Sequence, residues 1–303
     1  MEASARSTWF LHGVLLLVQL AFAALAVEGK LAMSPDVGVD PTALAMARIL
    51  GGAIAFIALG MVVGRLRMRS LREIAQLAGL SILGIVANQA LYLHGLRETS
   101  PLSATLLVST IPIFAAVIGV GMGRDQMTKR TWLGLGLAVL GILVLTGFHL
   151  PSKGDAFVLV NSLAYSFYLV LMQDLARRLG AIEVMAWVFG LGALLFLPWG
   201  GRSLVADFPQ WSPLAFSLVA FVVLVATVFT YLGNAWAIAR ATPTMVAVYV
   251  YLQPLFVAIL GFVQLGEPIR PRTILAGGLI LTGVTLVVRK RVSKEGSPAA
   301  RAP

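Results

Sequence analysis

The sequence predicts an all-α polytopic membrane protein whose ten transmembrane helices form two inverted five-helix repeats. Composition is the first of three observations behind this. Of 303 residues, 59% are hydrophobic and 12% charged, with a mean hydropathy of +0.90; a soluble domain carries about 25% charged residues. Too little polar material remains to coat a soluble fold of this length, so lipid is the solvent. The second observation is spacing. A hydrocarbon core of about 30 Å needs about 20 apolar residues in a helix. Ten runs meet or approach that length, at 9–27, 42–63, 74–96, 101–123, 131–148, 156–173, 184–200, 213–239, 244–265 and 273–288. They are numbered spans 1 to 10.

The third observation is an internal repeat. Residues 100–145 slide onto 242–287 without a gap, giving 12 identities in 46 positions. Pro101 meets Pro243, Pro112 meets Pro254, Gly119 meets Gly261, Gly136 meets Gly278 and Gly141 meets Gly283. Five spans per repeat is an odd number, so the second copy enters from the opposite face, as in many secondary transporters. The organisation expected is 1–148 for the first repeat, 149–291 for the second, and a disordered cytoplasmic tail over 292–303.

The elements can be justified in order. Span 1 follows Arg6 and contains LLLVQLAFAALA, which mimics a signal peptide with its cleavage site; its counterpart in the repeat argues for a retained helix. Span 2 carries a charge, Arg48, about two turns in. Glu28 and Lys30 close span 1 at a similar level, which predicts a Glu28–Arg48 pair at the outer mouth, either structural or binding a substrate carboxylate. Spans 4 and 9 hold Pro112 and Pro254 deep in apolar sequence. Each lacks the N–H that would bond the carbonyl four residues back, and a carbonyl freed in lipid must face protein or a wet cavity. These two prolines are therefore expected to kink their helices and help to gate a central path. Spans 5 and 10 carry Gly134, Gly136, Gly141 and Gly277, Gly278, Gly283, smooth surfaces for close packing. Trp9, Trp132, Trp187, Trp199 and Trp211 fall near span ends, as interface anchors do.

Charge sets orientation and excludes other classes. The formal charge of +10 reflects loop Lys and Arg, not nucleic-acid binding. With the N-terminus inside, 16 basic residues fall on the inner side and 6 on the outer. Both termini are therefore expected in the cytoplasm of a plasma (bacterial inner) membrane. There is no cysteine, so neither disulfides nor thiolate metal sites arise. No HExxH or Gly-x-Ser-x-Gly motif and no paired intramembrane acids occur, so no catalytic residue, cofactor or metal is expected.

Polar side chains inside spans are costly and mark candidate sites. The 142-residue offset pairs Gln19 with Asn161, Asn88 with Thr230 and Tyr92 with Asn234. Asn161, Tyr165 and Tyr168 share one face of span 6. Thr105 and Ser109 lie on the Pro112 side of span 4, and Tyr251 and Gln253 beside Pro254. These amides, hydroxyls and phenols suit a small zwitterion or polar metabolite; interhelical hydrogen bonding is the alternative use. His12 and His94 lie near span ends, where packing outweighs proton relay. With no clear mid-membrane carboxylate, facilitated diffusion is favoured over obligate proton coupling.

Three stretches carry a family resemblance: QLAFAALAVEGKLAM, NQALYLHGLRETSPLSATLLVSTIPIFAAVIG and GDAFVLVNSLAYSFYLVLMQDLARR. Over about residues 9–290 the chain resembles the EamA-type ten-span branch of the drug/metabolite transporter superfamily, with a likeness to plant nodulin-21-like members. The resemblance implies a central pocket lined by spans 1, 3, 4, 6, 8 and 9. It implies export of small metabolites, among which amino acids recur. The reading is a secondary transporter of amino acids or similar solutes. Drug, nucleotide-sugar or lipid-linked carriers are alternatives within transport; a membrane scaffold or membrane enzyme is the alternative outside it. Partners expected are the small-molecule substrate and the bilayer, with a monomer or homodimer as the assembly.

Overall fold

The computed structural model describes residues 2–123, 129–233, 249 and 252–295. Among the described residues every regular element is helical. Span 1 is Glu2–Ala32, span 2 Pro41–Val62, span 3 Leu71–Glu98 and span 4 Pro101–Gly121. Span 5 is Lys129–Leu145, span 6 Lys153–Leu179, span 7 Ala181–Gln210 and span 8 Pro213–Gly233. Span 9 ends in Gln253–Leu265, and span 10 is Pro271–Glu295. Seven stretches are long and apolar enough to cross a bilayer unaided, and Trp132–Leu145 and Gln253–Leu265 are shorter apolar helices. Span 10 stays helical through Glu295. No glycine or proline interrupts the chain between Gly283 and Gly296, so the helix outruns its apolar stretch.

Local chemistry explains where the helices start. Asp40 caps span 2 by accepting from the backbone N–H of Thr42 and Ala43, and Pro41 takes the first helical position, where its missing N–H costs nothing. Ser70 with Glu73 and Ser152 with Asp155 form capping boxes on spans 3 and 6. Ser100 and Ser212 cap spans 4 and 8 ahead of Pro101 and Pro213. Gly180, at φ +87°, ends span 6 and opens span 7 in a conformation that disfavours a Cβ.

Packing pairs the two halves symmetrically. Spans 2 and 7, 4 and 9, and 5 and 10 meet their own counterparts; span 3 packs on span 6 as span 8 packs on span 1, and span 4 on span 6 as span 9 on span 1. Exchanging every span with its partner five places on returns these same contacts, as a two-fold relation requires. Successive spans reverse direction, so counterparts run antiparallel. The core between them is apolar, with Leu44, Met46, Ile49, Leu107 and Phe189 fully buried. The outer surface stays equally apolar, with Leu17, Ile54, Leu194, Phe262 and Val263 exposed.

The glycines of spans 5 and 10 divide by role. A Cβ at Gly283 would sit 2.5 Å from the Gly134 carbonyl oxygen, and one at Gly141 would sit 2.6 Å from Ile280 and 3.0 Å from the Ala276 carbonyl oxygen. Gly136 and Gly278 meet nothing within 4 Å, and Gly277 faces Leu106 of span 4. The close contact therefore rests on the symmetric pair Gly141 and Gly283, not on all six. Among the tryptophans, Trp132 and Trp199 are exposed as anchors should be, whereas Trp211 donates to Asp207 Oδ2 at 2.7 Å and Trp187 is half-buried. The side chain of Trp9 lies outside the described residues.

Polar ties hold span 2 at both ends. At its start, Asp40 Oδ1 also accepts from Ser203 Oγ at 2.6 Å, and the Asp40 N–H donates to Asp207 Oδ2 at 2.9 Å. Past its end, the Arg67 N–H and Arg69 Nε both donate to Glu183 Oε1, at 3.1 and 2.9 Å. Partial burial raises the Asp40 carboxyl, but the hydrogen bonds from Ser203, Ala43 and Thr42 outweigh it and hold the group below its ordinary value. A carboxylate depressed on folding contributes stability above its unfolded pKa and loses it as pH falls through the folded one. Replacing Asp40 with Ala is therefore expected to cost about 1–2 kcal/mol at neutral pH. Thermal melts of the two proteins should converge as the pH drops below the carboxylate range.

Candidate functional site

The site begins with breaks in the helices, among them those of spans 3, 4 and 8. In span 4 the helix Pro101–Val108 stops, Ser109 and Thr110 turn, and a second helix starts at Ile111 with Pro112 in its first turn. In span 9 the helix starts at Gln253 with Pro254 likewise placed. Two backbone bonds correspond: the Thr110 N–H donates to the Leu107 carbonyl at 3.1 Å, and the Leu252 N–H to that of Tyr249 at 3.0 Å. The two bonds lie 142 residues apart, so they fall at equivalent places in the repeat. Serines of span 6 lie against the span 4 break: Ser162 Oγ donates to the Val158 carbonyl of its own helix at 2.9 Å and stands 3.3 Å from that of Leu107, and Ser166 Oγ donates to the Ser162 carbonyl at 2.6 Å and stands 3.0 Å from that of Ile111.

Spans 3 and 8 are interrupted differently. Each contains a π-helical stretch, Ile82–Val86 and Leu224–Phe229, again starting 142 residues apart. Such bulges add a residue to the turn and are frequent at functional sites. Gly84 makes room in the first. The Tyr168 ring lies against it, and a Cβ there would come 2.2 Å from that ring.

The amides join in two bridges between spans. Asn88 Nδ2 donates to Asn161 Oδ1 at 3.0 Å, linking spans 3 and 6. Gln253 Nε2 donates to Gln19 Oε1 at 2.6 Å, linking spans 9 and 1. Gln19 and Asn161 are buried. The phenols gather nearby: the Tyr165 and Tyr168 rings lie 5.3 Å apart, and Tyr231 lies within electrostatic range of both. Three hydroxyls expected at the site are instead spent on their own helices, Thr105 on the Pro101 carbonyl, Ser109 on Thr105, and Thr230 on Ala226 and Thr227. Asn234 and Tyr251 lie outside the described residues. His94 bonds the Ala90 carbonyl of its own helix, and His12 bonds the Tyr249 hydroxyl.

The Glu28–Arg48 pair does not form. Span 1 packs chiefly on spans 8 and 9, while span 2 packs on spans 7 and 3, so the two side chains leave adjacent spans in sequence that are not close neighbours in space. Arg48, 3% exposed, donates from Nε to Thr227 Oγ1 at 3.0 Å, inside the span 8 bulge. Tyr92 and Tyr231 lie within electrostatic range of it. Lys30, the other charge placed at the mouth, caps the end of span 3 by donating to the carbonyls of Leu96, Arg97 and Thr99.

Two cavities open on the face where span 1 ends. One of about 330 Å³ lies between spans 4, 9 and 10, with Ser100, Ser103, Arg270 and Arg272 on its wall. The other, about 580 Å³, is lined by Lys30, Ser34, Arg97 and Glu98. Glu267 borders both. Burial pushes its carboxyl above the ordinary range, against the pull of Lys30. The bridging amides of the midplane line neither cavity.

The duplicated architecture has a match among known proteins. The sequence profile described as the EamA-like transporter family matches residues 10–147 and again 152–289. The chain belongs to the EamA-like transporter family. The two matches start and end 142 residues apart, the same offset that aligns the prolines. Relatives of this EamA-like transporter include an uncharacterized transporter of Archaeoglobus fulgidus, 27% identical and covering 92% of this chain and 98% of its own. Another is the uncharacterized transporter YdfC of Bacillus subtilis, 25% identical over 85% and 84%. A third is a probable terminal-alkyne amino-acid exporter of Streptantibioticus cattleyicolor, 24% identical over 85% and 88%. A protein crystal structure shares the fold, with a TM-score of 0.60, 17% identity and coverage of 93% of this chain and 99% of that one.

Several groups of this EamA-like transporter escape sequence reasoning. Ser162 and Ser166 stand one turn apart on span 6, a spacing that could have marked a face turned to the span 4 break. Thr227 and Tyr231 stand one turn apart on span 8 and meet Arg48. Gln89, next to Asn88, is 1% exposed, and neither of its amide atoms has a partner among the described residues. Gln19 Nε2 and the Tyr168 hydroxyl are also buried without such a partner.

Proposed function

We propose that this transporter exports amino acids or similar small polar metabolites across a plasma (bacterial inner) membrane, with both termini cytoplasmic. One observation carries the reading. Gln19 Nε2, the Gln89 amide and the Tyr168 hydroxyl find no partner among the described residues inside membrane spans, where each unpaired polar group costs about 1–3 kcal/mol. A polar solute passing between the halves would repay that cost. The inverted repeat and the matched interruptions of spans 3 and 8 supply a mechanism. Antiparallel copies have two nearly equivalent ways to lean on each other, one open to each side. The probable amino-acid exporter among the relatives agrees with the substrate class, and the 16-to-6 distribution of basic residues with the orientation. The protein acts as a carrier, not as an enzyme, and functions as a monomer or homodimer.

Proteoliposomes holding the purified protein, screened with radiolabelled amino acids with and without a pH gradient, test this. Saturable uptake of a subset is expected, without a requirement for the gradient. Well-folded protein that moves none of them would refute the reading.

A further inference from the structure

We infer that Arg48 is the substrate-binding cation of this transporter, and that it takes the carboxylate of a small monocarboxylate solute at the seam between the two halves. The inference rests on the proposed transport function and adds the chemical group that the substrate must carry.

Arg48 sits about two helical turns inside span 2 and is 3% exposed, so its guanidinium does not reach water at the membrane surface. Span 2 contains no acid. Asp40, just before it, is occupied by its own helix cap and by Ser203, and Glu183 is held by Arg69. Among the described residues the guanidinium has one hydrogen bond, from Nε to the neutral Thr227 hydroxyl. Its other neighbours in electrostatic range are the phenols of Tyr92 and Tyr231, which carry no charge at neutral pH. A permanent cation is thus buried in the membrane interior with no counter-ion among the described residues, and an ionisable group placed so is a functional-site candidate by default.

The geometry selects the ligand. Bonding through Nε leaves the two terminal nitrogens as a planar pair of donors, which matches a carboxylate in two parallel hydrogen bonds. A phosphate dianion would need a second cation, and none stands beside Arg48 among the described residues. Phe56 and Phe189 pack against Tyr231, with ring centroids 6.0 and 5.4 Å from it, so the surroundings are apolar apart from the hydroxyls. Arg48 belongs to the first half and Thr227 to the second. An anion held here sits where the halves move against each other. The repeat offset places Gly190 opposite Arg48 and Ile85 opposite Thr227, so the cation is a feature of one half alone.

The test compares uptake of each amino acid with that of its carboxamide in proteoliposomes of wild-type protein, Arg48→Gln and Arg48→Lys. Wild type is expected to prefer the acid at least tenfold. Arg48→Gln should lose that preference while keeping the wild-type melting temperature within a few degrees, and Arg48→Lys should keep part of it. Equal transport of acid and amide by wild type overturns the inference and leaves the proposed function standing, as does a folded Arg48→Gln protein with an unchanged KM for the acid. If Arg48→Gln does not fold, the wild-type comparison decides alone. Failure of wild type to move any amino acid or amide defeats the proposed function, and the inference with it.

Discussion

Asn161→Leu is expected to lower transport at least tenfold while leaving the protein folded. The side chain is 2% exposed and accepts the Asn88 amide at 3.0 Å. An interhelical hydrogen bond of this kind contributes only about 0.6 kcal/mol to membrane-protein stability, so losing it should shift the melting temperature by a few degrees at most. The functional cost is larger. It removes one of the two amide bridges at the interrupted spans and leaves the Asn88 amide facing a branched alkyl group. Uptake rate and detergent melting temperature, measured on the same preparation, separate the effects. If both fall together, or if transport is unchanged, Asn161 is a packing residue and the site lies elsewhere.

Gly283→Val is expected to have the largest effect on stability, about 3 kcal/mol. Its Cβ would lie 2.5 Å from a backbone oxygen of span 5 and 3.0 Å from the Ala138 nitrogen. Backbone cannot rotate aside as a side chain can, so the two helices must separate along their length. Gly278→Val provides the control. The same substitution on the same helix meets nothing within 4 Å and should leave the melting temperature unchanged. Equal destabilisation by the two would mean that helix propensity, not contact, sets the cost.

Much of this fold was legible because membrane spans announce themselves one at a time. Apolar length gave the described spans, and Pro112 pointed to the break in span 4, because a missing N–H acts locally. Adjacency was not legible. Glu28 and Arg48 lie in consecutive spans, and sequence alone offers no reason to keep them apart. Their separation follows from the way spans 1 and 2 each pack on the opposite half. The bulges in spans 3 and 8 were hidden for another reason. A helical period of 3.6 residues underlies every reading of a face, and an inserted residue shifts that period by about 100° partway along. Thr230, read as lining the site, follows such a bulge and turns its hydroxyl back to its own helix. Thr105 and Ser109 do the same without one, because a Ser or Thr in a helix finds the carbonyl one turn back within reach.

The polar ties at the two ends of span 2 have a mechanical consequence. Asp40 is fastened to Ser203 and Asp207 at one membrane face, and Arg67 and Arg69 to Glu183 at the other. A seam pinned at top and bottom can turn but cannot part. The line through spans 2 and 7 is therefore a fulcrum, and cutting either fastening would leave the lever without a fixed axle.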